Sequence, residues 1–131
     1  MTILLVEDSR FLRISTERAL IRAGHQVISV GDGKEALRVA RESVPDLILL
    51  DMMLPKITGP EVLETLKRDS ATMHIPVIVL SGLSQKNEAK LLQSGAAAYF
   101  EKSEKMWDES LSSLVALIEK VIAESNRPKD A

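Results

Sequence analysis

Five short apolar runs recur along the chain at a steady interval: TILLV (2–6), QVISV (26–30), DLILL (46–50), PVIVL (76–80) and the weaker AAAYF (96–100). Each has strand length, three are nearly all aliphatic, and β-branched residues are common in them. Such runs read as strands buried on both faces. Between them the apolar period changes to that of a helix, about 100° per residue. Residues 10–23 place Leu12, Thr16, Ala19, Leu20 and Ala23 in one arc, and residues 33–43 offer Ala36, Leu37 and Ala40. Residues 59–69 carry Val62, Leu63 and Leu66 behind Thr58 as N-cap, with Pro60 in the first turn. A fourth helix is predicted over 85–94, with Ala89, Leu91 and Leu92, and a last over about 106–124, with Leu111, Leu114, Ile118, Val121 and Ile122 on one stripe. Met106 and Trp107, which open it, read as core.

Strand–helix alternation repeated five times predicts parallel strands joined by right-handed crossovers, with helices on both faces of the sheet. Gly24 and Gly95 fall where helices should end, the usual place for a left-handed C-cap. No linker interrupts the pattern, so residues 1–124 are expected to form one domain and 125–131 a frayed tail. A chain of 131 residues is long enough to bury its own core.

Composition narrows the function. A net charge of −2, from 17 basic and 19 acidic residues, proposes neither nucleic acid nor an anionic membrane as partner. The absence of cysteine excludes disulfides, thiolate zinc sites and thiol nucleophiles. Aromatic residues make up only 3%, which argues against base- or sugar-stacking surfaces. The opening MTILLVEDSR has no signal-peptide character and no apolar run approaches membrane-spanning length, so a cytoplasmic location is expected.

In a doubly wound sheet, ligands bind beyond the carboxyl ends of the strands. The first strand runs into Glu7-Asp8, the third into Asp51, the fourth into Ser81-Gly82 and the fifth into Glu101-Lys102, while Gly31-Asp32-Gly33 after the second reads as a simple turn. Any one strand-end acid is as often a cap or turn residue as a functional group. The set is different. Three carboxylates from strands one and three sharing a cleft would repel one another and need a cation, for which hard, oxygen-seeking Mg²⁺ is suited. Lys102 adds a point charge and Ser81 a hydroxyl, both fitted to a phosphoryl group, and a carboxylate such as Asp51 can act as nucleophile.

At these residues the sequence resembles the response-regulator receiver domain of two-component signalling, over about residues 2–124. The resemblance rests on LLVEDS, LILLDMMLPKITG, VIVLSG and GAAAYFEKS. It implies a flavodoxin-like fold, a five-stranded parallel sheet of order 2-1-3-4-5 with five helices. It implies a signalling domain rather than an enzyme, in which Asp51 accepts a phosphoryl group from a histidine kinase or a histidine phosphotransfer protein. Asp8, Asp51 and the backbone carbonyl of Met53 would ligate Mg²⁺ or Mn²⁺, with Glu7 holding a metal-bound water. Lys102 and Ser81 would contact the phosphoryl oxygens. Ser81 would then move inward and let Tyr99 rotate, coupling the site to the surface of the fourth helix, fifth strand and fifth helix. A downstream protein target would read that surface, with the domain a monomer or an activation-dependent dimer.

The chain departs from the family at several points. The family follows its lysine with proline across a cis bond; here Ser103 follows Lys102. A cis bond costs about 2.5–4 kcal/mol before a non-proline residue; a cis Lys102–Ser103 bond is nonetheless expected, because Lys102 must reach the phosphoryl group. Met53 and Leu83 stand where relatives often carry polar groups, flanking the path of attacking water, so a long-lived phosphoryl group is expected. On the first helix Phe11, Ile14 and Ile21 lie opposite the buried arc, interrupted by Arg18, and Phe11 and Ile14 are candidate kinase-docking residues. His25 and His74 read as solvated loop residues.

Competing functions fit less well. A haloacid-dehalogenase-like phosphatase needs a second acid where this chain has Met53, and a flavodoxin-like electron carrier needs a hydroxyl-rich phosphate loop where this chain has EDSR. A degenerate receiver is disfavoured by the intact set of Glu7, Asp8, Asp51, Ser81 and Lys102. A phosphorelay carrier, or a receiver belonging to a longer regulator, remains an alternative to the expected stand-alone domain.

Overall fold

The five apolar runs form five parallel strands: β1 (Thr2–Val6), β2 (Gln26–Val30), β3 (Leu47–Asp51), β4 (Val77–Ser81) and β5 (Ala98–Glu101). Their order across the sheet is β2-β1-β3-β4-β5, in a computed structural model that describes residues 1–82, 92–101 and 109–125. Four helices lie among the described residues: α1 (Arg10–Arg22), α2 (Gly33–Ser43), α3 (Gly59–Arg68) and α4 (Glu109–Ser125). The helix expected over 85–94 lies mostly outside the described residues; its last residues, Leu92 and Gln93, are helical. Gly95 follows at φ 107° with its amide on the Leu92 carbonyl (3.1 Å). Met106 and Trp107 also lie outside them. No helix among the described residues is long and apolar enough to cross a membrane.

Strand side chains alternate between two cores. Ile3, Leu5, Leu47, Leu49, Ile78 and Leu80 face Leu20 of α1 and Leu114, Ile118 and Val121 of α4. Leu4, Val6, Ile48, Leu50, Val77 and Val79 face α2 and α3. Burying one such aliphatic side chain is worth about 1.5–3 kcal/mol. β3 is buried along its whole length, so it is held from both sides.

Three strands, β3, β4 and β5, run one residue further than the pattern predicted. Asp51 pairs in register with Leu80 and Ser81 with Glu101, and the Met52 amide still donates to the Leu80 carbonyl (3.0 Å). At the other end Pro76 has no N–H to give, so β4 begins at Val77. Asp51, Ser81 and Glu101 are thus parts of the ladder rather than of the loops beyond it.

Each of the first three helices has a side-chain cap. Ser9 accepts from the Leu12 amide (3.4 Å), Asp32 from that of Glu35 (2.9 Å) and Thr58 from that of Glu61 (3.4 Å). Asp32 is therefore a helix cap and not merely a turn residue. The Glu35 amide, with Lys56 nearby (3.7 Å), holds its carboxyl below the ordinary value of 3.8.

α1 ends in a Schellman arrangement: Gly24 at φ 96° donates to the Ile21 carbonyl (3.0 Å) and His25 to that of Leu20 (3.1 Å). That closure turns residue 25 back toward the last turn of the helix. His74 is exposed as expected. His25 is not solvated: both ring nitrogens are buried with no hydrogen-bond partner among the described residues. The helix-closing geometry, invisible in the histidine itself, decides its surroundings.

Candidate functional site

The site forms where β1 and β3 end side by side. Glu7, the first residue past β1, is 1% exposed, whereas Asp8 is exposed. Asp51, the last residue of β3, is 2% exposed. One carboxylate oxygen from each of Glu7, Asp8 and Asp51 lies within 4.8 Å of the others. The Met53 amide donates to Asp51 Oδ1 (3.1 Å), which fixes the carboxylate's rotation. The acids open into a cleft of about 570 Å³ bounded by Ser9 and Leu12 at the start of α1 and by Met53 and Thr58 at the approach to α3.

The donor set fits a hard divalent cation. All three groups offer oxygen, and an octahedral Mg²⁺ with bonds of about 2.0–2.1 Å spans roughly 4 Å between opposite ligands. An envelope of 4.8 Å therefore suits two direct carboxylates and a third acting through water.

Ser81 is fully buried at the end of β4, on the strand next to β3. Tyr99 lies opposite Val79 in the β4–β5 register, half-buried against the core beneath α2 and α3. Lys102, Ser103 and Leu83 lie outside the described residues, and so does the expected cis Lys102–Ser103 bond. Met53 lines the cleft but is 62% exposed, so its side chain sits on the rim. On α1, Phe11 (58%), Ile14 (37%) and Ile21 (54%) are exposed, opposite the buried Thr16 and Leu20.

One residue that positions the site was not singled out from sequence. Gly59 opens α3 and donates to the Met52 carbonyl (3.3 Å). A Cβ there would lie 2.6 Å from the Asp51 carbonyl oxygen and 2.5 Å from Met52 Cα. Only glycine lets α3 start this close to the end of β3. The Thr-Gly-Pro step marks a helix start in the sequence, but the approach to β3 is a tertiary fact.

A doubly wound sheet of this order, with three carboxylates converging at its carboxyl edge, defines a flavodoxin-like domain with an acidic cleft compatible with Mg²⁺ and aspartate phosphorylation. The chain belongs to the response regulator receiver domain family, whose model matches residues 3–114. It is 42% identical over 103 residues to the polar-differentiation response regulator DivK of Brucella anthropi, covering 77% of this chain and 83% of that protein. Among solved structures it resembles the receiver domain of Francisella response regulator 1452, with a TM-score of 0.85 at 25% identity over 95% of this chain and 98% of that one. It also resembles the receiver domain of sensor histidine kinase PA1611 from Pseudomonas aeruginosa, with a TM-score of 0.82 at 28% identity over 93% and 97% of the two chains. That structure holds a magnesium ion in its active-site cleft.

Proposed function

We propose that this receiver domain is a phosphorylation-activated switch in which Asp51 is the phosphoacceptor. The observation that carries the reading is the placement of a buried aspartate on a rigid strand end, within 4.8 Å of two further carboxylates from the neighbouring strand. A phosphohistidine on a histidine kinase or phosphotransfer protein is the donor. Its N–P bond breaks as an Asp51 oxygen bonds to phosphorus, and the imidazole keeps the electron pair and takes up a proton. Such a transfer needs chiefly alignment and charge neutralisation. Asp8, Asp51 and the Met53 carbonyl would hold Mg²⁺ or Mn²⁺, with Glu7 acting through a water. A cation held there would supply positive charge to the phosphoryl oxygens. Lys102 and Ser81 would contact the same oxygens.

Output follows from contacts made only in the phosphorylated state, which shift the population between two surfaces. Ser81 moves toward the phosphoryl group and Tyr99 rotates inward, changing the surface around β5 that a protein target reads. Beryllofluoride with Mg²⁺, a mimic of the acyl phosphate, tests this half of the reading. Amide exchange in β4 and β5 changes in the wild type and not in Asp51→Asn; identical exchange in both proteins contradicts the switch.

The rim side chain Met53 slows hydrolysis of the acyl phosphate because it cannot orient water, so Met53→Asn speeds decay of the phosphorylated protein. An unchanged rate removes that role. The exposed stripe of Phe11 and Ile14, on the helix whose first residues border the cleft, is the docking face for the phosphodonor. Phosphotransfer at full rate after Phe11→Glu and Ile14→Glu rules it out.

A further inference from the structure

We infer that Arg13 is a positioning residue for the cation cleft, and that Gly31 is glycine to make room for it. Arg13 lies half-buried one turn into α1, and its Nη1 donates to the backbone carbonyl of Glu7 (3.1 Å). That carbonyl belongs to the residue at which the chain leaves β1 and presents two acids in succession. On its other side the Glu7 amide donates to the Val30 carbonyl at the end of β2 (3.1 Å). Glu7 is thereby held through both of its backbone polar groups, one to a neighbouring strand and one to the guanidinium.

Gly31 supplies the second observation. Its backbone is not in the left-handed region, so conformation does not demand glycine there. A Cβ at residue 31 would stand 3.1 Å from Arg13 Nη1, closer than ordinary van der Waals contact, so the guanidinium would have to shift by a few tenths of an ångström. The guanidinium therefore fills the notch between the ends of β1 and β2, and ties α1 to the loop that carries Glu7 and Asp8. Groups that orient ligands from behind typically change metal affinity by roughly 10–100-fold when removed.

This inference rests on the reading of Glu7, Asp8 and Asp51 as the cation site, and it has a sign that a simple charge effect lacks. A cation beside three carboxylates, acting only through its charge, would compete with a metal, and its loss would tighten binding. A residue that holds the acids in place does the opposite.

The test measures Mn²⁺ affinity by the paramagnetic resonance of free Mn²⁺, with urea midpoints in chelator, for the wild type, Arg13→Met, Arg13→Lys and Gly31→Ala. The account expects Arg13→Met to bind roughly tenfold more weakly. Arg13→Lys, which keeps a donor, recovers much of the loss. Gly31→Ala weakens binding although every charge is retained. Should Arg13→Met fail to fold, Gly31→Ala decides the question. Affinity unchanged or tightened in the folded variants overturns the inference while leaving the cation site standing, even if stability falls. A wild type that binds no Mn²⁺ overturns both.

Discussion

Replacing Gly59 with alanine perturbs Asp51 without touching any charged or polar side chain. The added Cβ would sit 2.5 Å from Met52 Cα and 2.6 Å from the Asp51 carbonyl oxygen, both backbone atoms that no rotamer change can move. Ordinary contact between such atoms lies near 3.5 Å, so α3 and the end of β3 must separate by about 1 Å. Overpacking of this kind costs about 1–3 kcal/mol. Stretching the hydrogen bond from the Gly59 amide to the Met52 carbonyl, already 3.3 Å long, adds roughly 1 kcal/mol. A total of about 2–4 kcal/mol leaves a domain of typical stability folded. Catalytic geometry is less forgiving, since a displacement of about 1 Å can cost roughly a hundredfold in rate. Urea unfolding gives the first quantity, and the rate of phosphorylation by acetyl phosphate with Mg²⁺, well below the unfolding transition, gives the second. Thr58→Ala is the control: it removes the helix cap, at about 1 kcal/mol, and leaves the strand end alone. Gly59→Ala should therefore phosphorylate far more slowly than a Thr58→Ala protein of similar stability. Equal rates in the two variants would refute the claim that the close start of α3 positions Asp51.

Three further outcomes follow from the same structure. Three carboxylates within 4.8 Å repel one another, so Asp8→Asn should melt higher than wild type in chelator and gain less from Mg²⁺; a lower melting temperature in chelator contradicts the repulsion. Val44 holds a left-handed C-cap at φ 41°, ψ 70° while half exposed, a conformation that strains a β-branched residue, so Val44→Asn should stabilise by about 1 kcal/mol, read from the urea midpoint. The Asp32 carboxyl is held below 3.8, so its contribution is complete above that pH and is lost as pH falls through the lowered value; Asp32→Asn should be less stable than wild type at neutral pH, with the gap closing in acid, and a gap independent of pH would contradict it.

Much of the fold was legible because two-sided burial leaves an unmistakable mark. Leu47–Leu50 could only be an interior strand, and an acid at its end could only lie at the edge of the sheet. The acidic cluster was legible for the same reason, since strand order brings the ends of β1 and β3 together. The strand ends were less so: β3, β4 and β5 each run one residue past the apolar run, which draws Asp51, Ser81 and Glu101 into the ladder. What escaped was set by contacts between distant segments. Nothing local tells that the end of β3 lies against Gly59 or that the Arg13 guanidinium lies beside Gly31. Asp32 read as a turn between two glycines, although the helix predicted over 33–43 placed it at the N-cap position. His25 read as solvated because loop histidines usually are, until the closure of α1 turned it inward.

The central claim is that the buried strand-end aspartate is the phosphoacceptor. Incubation with acetyl phosphate and Mg²⁺, followed by intact-mass measurement and reductive trapping of the acyl phosphate for peptide mapping, tests it directly. The account predicts addition of a single phosphoryl group, mapped to Asp51, abolished by chelator and absent from Asp51→Asn. A phosphoryl group mapped to Glu7 or Asp8, or a wild type that remains unmodified, would contradict it.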